Sequence, residues 1–214
     1  MIQVSIRRRL LISSLFVLGA FGVLFISILR AASVRYSFNT QVVSTYTQGG
    51  QLPNDVDYGL VYPGSVLPGS FLWPVKALRD RVWVLTTPDM AKKMELYLLL
   101  ADKRLGAAQV LFSQKKYELA VSTLTKAEGY LKNASEAEVV VRASGVDTKH
   151  FVYKLLLASF KHRELIRTFA DQAPDDVRNQ LIIVENYPRG LYEEKVGLLE
   201  SPTGEVLKNP YAGQ

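Results

Sequence analysis

The chain has 214 residues, no cysteine, 26 Lys and Arg against 20 Asp and Glu, and a formal charge of +6. The lack of cysteine excludes disulfides, thiolate nucleophiles, iron–sulfur clusters and cysteine-ligated zinc, and leaves stability to packing. Residues 1–32 hold Arg7, Arg8, Arg9 and Arg30 with no acid, while residues 33–214 hold 22 basic and 20 acidic side chains, so the basicity is no nucleic-acid footprint and nucleic acid is not an expected partner.

Leu10 to Leu29 is a run of twenty residues without a charge, directly behind Arg7, Arg8 and Arg9. About 20 apolar residues at the helical rise cross the hydrocarbon core of a bilayer. The sequence thus predicts a cytoplasmic N-terminus over 1–9 and a transmembrane signal-anchor helix over 10–30. The arginine bias places everything beyond it on the outer face of the cell membrane. A cleaved signal peptide is the competing reading, because Ala31 and Ala32 follow the run. The run is longer than a signal core, however, and Arg30 stands where a small residue is wanted. Residues 31–62 turn to Ser, Thr, Gln, Asn, Gly and Tyr, with turn signals at Gly49-Gly50 and Pro53-Asn54-Asp55, and read as a stalk.

From residue 63 the periodicity becomes helical. Phe71, Val75, Leu78, Val82 and Leu85 recur at alternating spacings of four and three, which predicts a first short helix with that stripe inward. Thr87-Pro88-Asp89 reads as a cap, a proline at the first helical position and an acid in the first turn of a second helix. Its seam is Met94, Tyr97, Ala101, Leu105, Ala108 and Phe112. A third helix carries Tyr117, Ala120, Leu124, Ala127 and Leu131, and a fourth, starting at Asp147 or Thr148, carries Phe151, Leu155, Ala158, His162, Leu165 and Phe169. Val177, Leu181 and Val184 give a short fifth, stopped at Tyr187-Pro188-Arg189-Gly190. The expected fold is all-α, an N-terminal transmembrane helix followed by an antiparallel bundle of four to five helices over 63–187. A tail or small hairpin follows over 188–214, with Gly197-Leu198-Leu199 and Glu205-Val206-Leu207 as its arms.

Leu67-Pro68-Gly69-Ser70-Phe71-Leu72-Trp73-Pro74-Val75-Lys76, followed after a helix by Ala101-Asp102-Lys103-Arg104-Leu105, resembles an uncharacterised family of bacterial membrane-anchored helical domains. In that family an LP-x-S-x-x-aromatic-P-x-K segment opens the bundle. The resemblance covers about 61–131 and implies an extracytoplasmic domain of unknown function with no known catalysis. On the residues alone, Leu67, Pro68, Ser70, Trp73, Pro74 and Lys76 have structural roles. Ser70 is a candidate cap, Pro74 presets the first turn, and Phe71 and Trp73 seal the bundle's end. A looser similarity, to a tetratricopeptide helical hairpin, lies in Ala107, Ala108, Leu111, Tyr117, Ala120, Leu124 and Ala127, without a 34-residue repeat.

Candidate chemistry is sparse. His150 and His162 are twelve apart and cannot form an i, i+4 metal pair, and His162 lies on an apolar seam, which makes it a core histidine. Asp175-Asp176 follows a proline at a helix start and serves the helix dipole. No nucleophile elbow or phosphate-cradling loop is present, so no catalytic, cofactor or metal residue is assigned. Lys92, Lys93, Lys103, Arg104, Lys115 and Lys116 form basic pairs along the second helix, candidates for contact with anionic headgroups or an acidic envelope polymer. The expected function is a binding or scaffolding module in the bacterial cell envelope, partnered by the membrane and by an envelope protein or anionic component. An envelope enzyme or sensor is the alternative.

Overall fold

The computed structural model describes residues 58–199 together with residues 12–17, 19 and 22. The N-terminal residues are helical, with Ile12, Leu15, Phe16 and Val17 exposed. The rest of the expected span, the stalk up to residue 57 and the tail beyond residue 199 lie outside the described residues. Among the described residues no helix is long and apolar enough to cross a membrane.

Five α-helices fill residues 73–195: α1 (Trp73–Leu85), α2 (Met90–Ser113), α3 (Tyr117–Ala143), α4 (Lys149–Gln172) and α5 (Asp175–Lys195), closed by a 3-10 turn, Val196–Leu199. α2 and α3 share the most extensive interface, α4 and α5 the next, and α5 also packs on α3. Two helical hairpins therefore stack into one bundle. At one level Leu105, Ala108, Leu124 and Ala127 meet Ile166, Phe169, Val177 and Leu181. At the other, Leu98, Ala101, Leu131 and Ala134 meet Phe151, Leu155, Ala158 and Leu191. The seam read for α4 is buried throughout.

The helix ends follow local chemistry. Asp89, not Thr87, caps α2 by accepting from the amides of Ala91 and Lys92, and the Thr87 hydroxyl instead donates to the Trp83 carbonyl at the end of α1. These amide donors hold the Asp89 carboxyl below its ordinary value. At the α2–α3 turn, the Lys116 amide reaches the Leu111 carbonyl at 3.0 Å and the Lys115 amide the Phe112 carbonyl at 2.9 Å. That is the pairing of a Schellman motif, and it puts Lys115 at φ 58°, in the left-handed region. α3 runs without a break through Asn133-Ala134-Ser135 and stops at Ser144-Gly145, with Gly145 at φ 87°.

Four expectations about these elements are overturned. The stripe read as the inner face of α1 points outward: Phe71, Val75, Leu78 and Leu85 are 94%, 56%, 62% and 80% exposed. Trp73, Lys76, Asp80 and Trp83, spaced by three and four as well, face the bundle instead, with Asp80 buried. The fifth helix does not stop at Pro188 but carries it inside and continues to Lys195. An interior proline costs about 3 kcal/mol. The helix continues because Leu191 enters the core and the Lys195 ammonium is buried against Glu138 at 3.0 Å. The first arm of the expected hairpin, Gly197-Leu198-Leu199, lies in the 3-10 turn, and no strand occurs among the described residues; its second arm lies outside them. Tyr58, Leu60 and Val61, read as the end of the stalk, pack against the bundle. Gly106 admits this segment, since a Cβ there would stand 3.3 Å from Pro63 Cδ.

Lys115 holds a conformation that costs a residue with a Cβ roughly 1–2 kcal/mol. Lys115→Gly should therefore stabilise the chain by about 1 kcal/mol, after the extra chain entropy of glycine is offset. Thermal unfolding followed by circular dichroism checks it. A lower melting temperature would show that the left-handed residue is placed elsewhere in the turn.

Candidate functional site

The bundle opens on a tight turn. Pro68 and Gly69 occupy its centre, Gly69 at φ 87°, and the Ser70 amide donates to the Leu67 carbonyl at 3.1 Å, the pattern of a type II turn. Ser70 does not cap α1; its hydroxyl donates to the same Leu67 carbonyl at 2.8 Å, and Leu72 stands at the N-cap position without a side-chain bond. Phe71 seals nothing, being almost fully exposed. Pro74 sits in the first turn of α1, where its missing N–H has no cost.

Lys76 reaches back from α1 and donates to the carbonyls of Pro63 (2.6 Å) and Val66 (2.8 Å). Burial lowers its ammonium to about 8, with Asp80 opposing and Arg104 adding to the shift. Asp80 accepts Arg104 Nη2 at 2.7 Å and Arg79 Nη2 at 2.7 Å. The Trp73 ring covers the Arg104 guanidinium at 4.3 Å. Arg104 is thus no surface contact. It is a buried cation of α2, paired and covered by α1.

A second ionic cluster lies at the centre of the bundle. His162 of α4 is fully buried, with Nδ1 at 2.7 Å from Glu128 Oε1 on α3 and Nε2 at 3.4 Å from Asp102 Oδ1 on α2. The Tyr58 hydroxyl donates to Asp102 Oδ2 at 2.8 Å. Burial would lower the imidazole's ionisation, but the Glu128 charge and the hydrogen bonds the ring donates to both carboxylates outweigh it and raise it to about 9. Burial, with Asp102 beside it, pushes the Tyr58 phenol well above its usual range. The cluster resembles an acid–base pair in composition, but both ring nitrogens are occupied by carboxylates and neither has access to solvent. It joins three helices and the incoming segment.

The family described as a domain of unknown function, DUF5667, matches residues 65–185. That segment holds both clusters except Tyr58. The chain belongs to this family. No curated protein and no solved structure matches it. In this DUF5667 domain the opening segment Leu67–Lys76 and the segment Ala101–Leu105 both fall inside the matched residues.

Two further ionic ties close the second hairpin. Glu138 on α3 accepts from Thr148 (2.6 Å), Arg142 (2.9 Å) and Lys195 (3.0 Å). Burial raises its carboxyl, but these donors outweigh burial and hold it below its ordinary value. Glu185 on α5 takes Arg163 and Arg167 of α4, each at 2.7 Å, and is lowered in the same way against its burial. Between α3 and α5 a groove of about 370 Å³ remains, walled by Glu128, Leu131, Ser135 and Val139 on one side and Tyr187, Gly190 and Leu191 on the other. Among the described residues no group of three or more His, Asp and Glu is placed to hold a metal ion.

The basic residues of α2 do not form one face. Lys92 is exposed and 3.5 Å from Asp89, Lys93 and Lys103 are half-buried, Arg104 is internal, and Lys115 and Lys116 lie exposed in the turn after the helix. Sequence reading missed Asp80, Asp102, Glu128 and Tyr58. A signal for two of them was present: Asp102 opens the charged triplet Asp102-Lys103-Arg104 inside an otherwise apolar stretch from Leu96 to Ala108, and Glu128 stands in the spacing Leu124, Glu128, Leu131, Ser135.

Asp80→Ala would strand the Arg104 guanidinium in the interior, a loss of about 3–5 kcal/mol. Ser70→Ala, which removes an exposed hydroxyl, should cost under about 1 kcal/mol. Thermal unfolding of the two variants side by side measures this, and similar small losses would place Arg104 in solvent.

The raised ionisation of His162 makes its contribution to stability pH-dependent. It is fully present below 6.5, where the unfolded histidine is also protonated, and is lost as pH rises through about 9. The loss should amount to roughly 3 kcal/mol. Above pH 8 the lowered Lys76 works in the opposite direction, so the quantity to follow is the difference in melting temperature between the native chain and His162→Gln across pH 6 to 10. A difference that does not shrink with rising pH would show that the buried imidazole is neutral.

Proposed function

We propose that the chain is a single-pass, membrane-tethered module with its bundle outside the cell, acting by binding rather than catalysis, and that α1 docks the bundle on the lipid–water interface of its own membrane. The observation that carries this is the outward stripe formed by α1 and the two residues before it, where Phe71, Leu72, Val75, Leu78 and Leu85 are each more than half exposed. A contiguous apolar face of this kind marks an interaction surface. Two facts favour lipid as its occupant. The exposed charge beside the stripe is basic, Arg81 and the half-exposed Arg79, and the one acid of α1, Asp80, is buried, which suits anionic headgroups. The apolar run from Leu10 to Leu29 supplies the tether, its described residues being helical and exposed. About 40 residues separate that run from Phe71, ample reach for the bundle to return to the surface.

The absence of cysteine allows one reporter at a time. In vesicles containing anionic lipid, a nitroxide at Leu78→Cys of the full chain should be open to oxygen and shielded from a water-soluble nickel chelate, and one at the exposed Gln109→Cys should show the reverse. Protease added outside intact cells should remove the mass from Ser33 onward. A label at 78 that stays in water sinks the docking face, and one immobilised without lipid would assign it to a protein. A bundle protected until the membrane is broken reverses the topology.

A further inference from the structure

The groove between α3 and α5 has an apolar base. The two helices run the same way, since Leu124 and Leu181 share one level of the core and Leu131 and Leu191 the next. Leu131 and Leu191 lie buried at the base. On the walls Val139 and Tyr187 are exposed, as is Ile183 one turn before Tyr187. Gly190 leaves a notch in the α5 wall, where a Cβ would meet nothing within 4 Å. From Asn186 to Glu194 the α5 wall runs about 12 Å at the helical rise, the length of about four extended residues. Beyond Glu194 stands the buried pair of Lys195 and Glu138, 3.0 Å apart.

The chain itself leaves α5 at that end. The 3-10 turn keeps it against α4 and α5, and residues 200–214 follow. Pro202-Thr203-Gly204 is a turn signal, and the apolar pair Val206-Leu207 comes directly after it and Glu205. The sequence pairs Glu205-Val206-Leu207 with Gly197-Leu198-Leu199 in a hairpin, yet the latter residues lie in the 3-10 turn and offer no strand. A reversal at 202–204 would send the apolar pair back along the groove, antiparallel to α5.

We propose that the groove is the docking site of this chain's own C-terminal segment, with Val206–Asn209 laid in it as an extended strand and Leu207 filling the notch at Gly190 over Leu131 and Leu191. The charges complement each other. Lys208 comes within reach of the exposed Glu136 on the rim, and Glu205 falls at the end where the exposed Arg142 binds Glu138 at 2.9 Å. Asn186 and Tyr187, on the α5 wall, carry side chains that can bond with an extended backbone. The tail covers an apolar surface separate from the stripe of α1, so the proposal is independent of the membrane-docking reading.

Dipolar EPR on the full chain in detergent micelles tests it, since a chain without cysteine accepts nitroxides at chosen pairs. Labels at Ala212→Cys and at Gly129→Cys, an exposed position beside the head of the groove, should give one narrow distance that is unchanged when the labelled chain is diluted with unlabelled chain. Leu207→Asp should broaden it to the distribution of an unrestrained tail. Gly190→Leu fills the notch on an exposed helical position, where leucine is the better helix former, and should broaden it equally while keeping or raising the melting temperature. A broad distribution in the otherwise native chain would mean that the tail does not dock. A narrow one lost on dilution would seat the tail on a second copy, and a narrow one that survives both substitutions would seat it on another surface. Each of these three results overturns the proposal.

Discussion

The domain is built around the need to bury α2. From Met94 to Leu111 this helix keeps few positions in solvent, and the enclosed stretch includes Asp102 and Arg104 as well as its apolar residues. Two opposite charges two residues apart on a helix point in different directions. They cannot neutralise each other, and each needs a partner from another element. Asp102 obtains Tyr58 and His162; Arg104 obtains Asp80 and the face of Trp73. The segment before α1, α1 itself and α4 are therefore held as polar complements to α2, with apolar contact filling the spaces between.

That requirement explains the orientation of α1. Two stripes repeat along it with helical spacing, one mostly aliphatic and one made of Trp73, Lys76, Asp80 and Trp83. An exposed aliphatic stripe forfeits roughly 25 cal/mol for each Å² left in water. An unpaired Arg104 in the interior would forfeit several kcal/mol in one place. The polar stripe turns inward, and the aliphatic one is left for something outside the bundle. An interaction surface thus arises from an ionic constraint inside.

The four-helix core was legible because α2, α3, α4 and the first half of α5 each have one dominant apolar stripe, and residues such as Leu105, Leu124, Leu155 and Leu181 fall where the spacing puts them. The reading failed where a local rule met a tertiary contact that no spacing displays. Pro188 is a stop signal on its own turn, yet Leu191 and Lys195 gain enough beyond it to carry the helix on. Phe71 and Val75 read as core because hydrophobic periodicity counts apolar residues and is silent about the demand that Arg104, a neighbour only in space, makes on the opposite face. The central cluster was half visible: His162 was placed inside by its seam, but Tyr58, Asp102 and Glu128 come from positions 104, 60 and 34 residues before it.

The family match bears on which of these features belong together. Residues 65–185 contain the turn, the clamp of Trp73, Lys76, Asp80 and Arg104, and three of the four members of the central cluster. They end inside α5, before Pro188. The α5 wall of the groove, including Tyr187, Gly190 and Leu191, falls in the part of the chain that the match does not cover. The clamp needs nothing from that part, whereas the groove does not exist without it. Glu128 therefore serves two structures at once. Its Oε1 belongs to the ionic centre of the matched domain, and the residue also borders a groove whose other wall is the extension of α5. A helix that ended at its proline, as local chemistry favours, would leave Leu131 on α3 without Leu191 as a neighbour in the core. Running the helix through Pro188 sets Gly190 and Leu191 across from Leu131 and Ser135, and the continuation of α5 is what gives the groove its second wall.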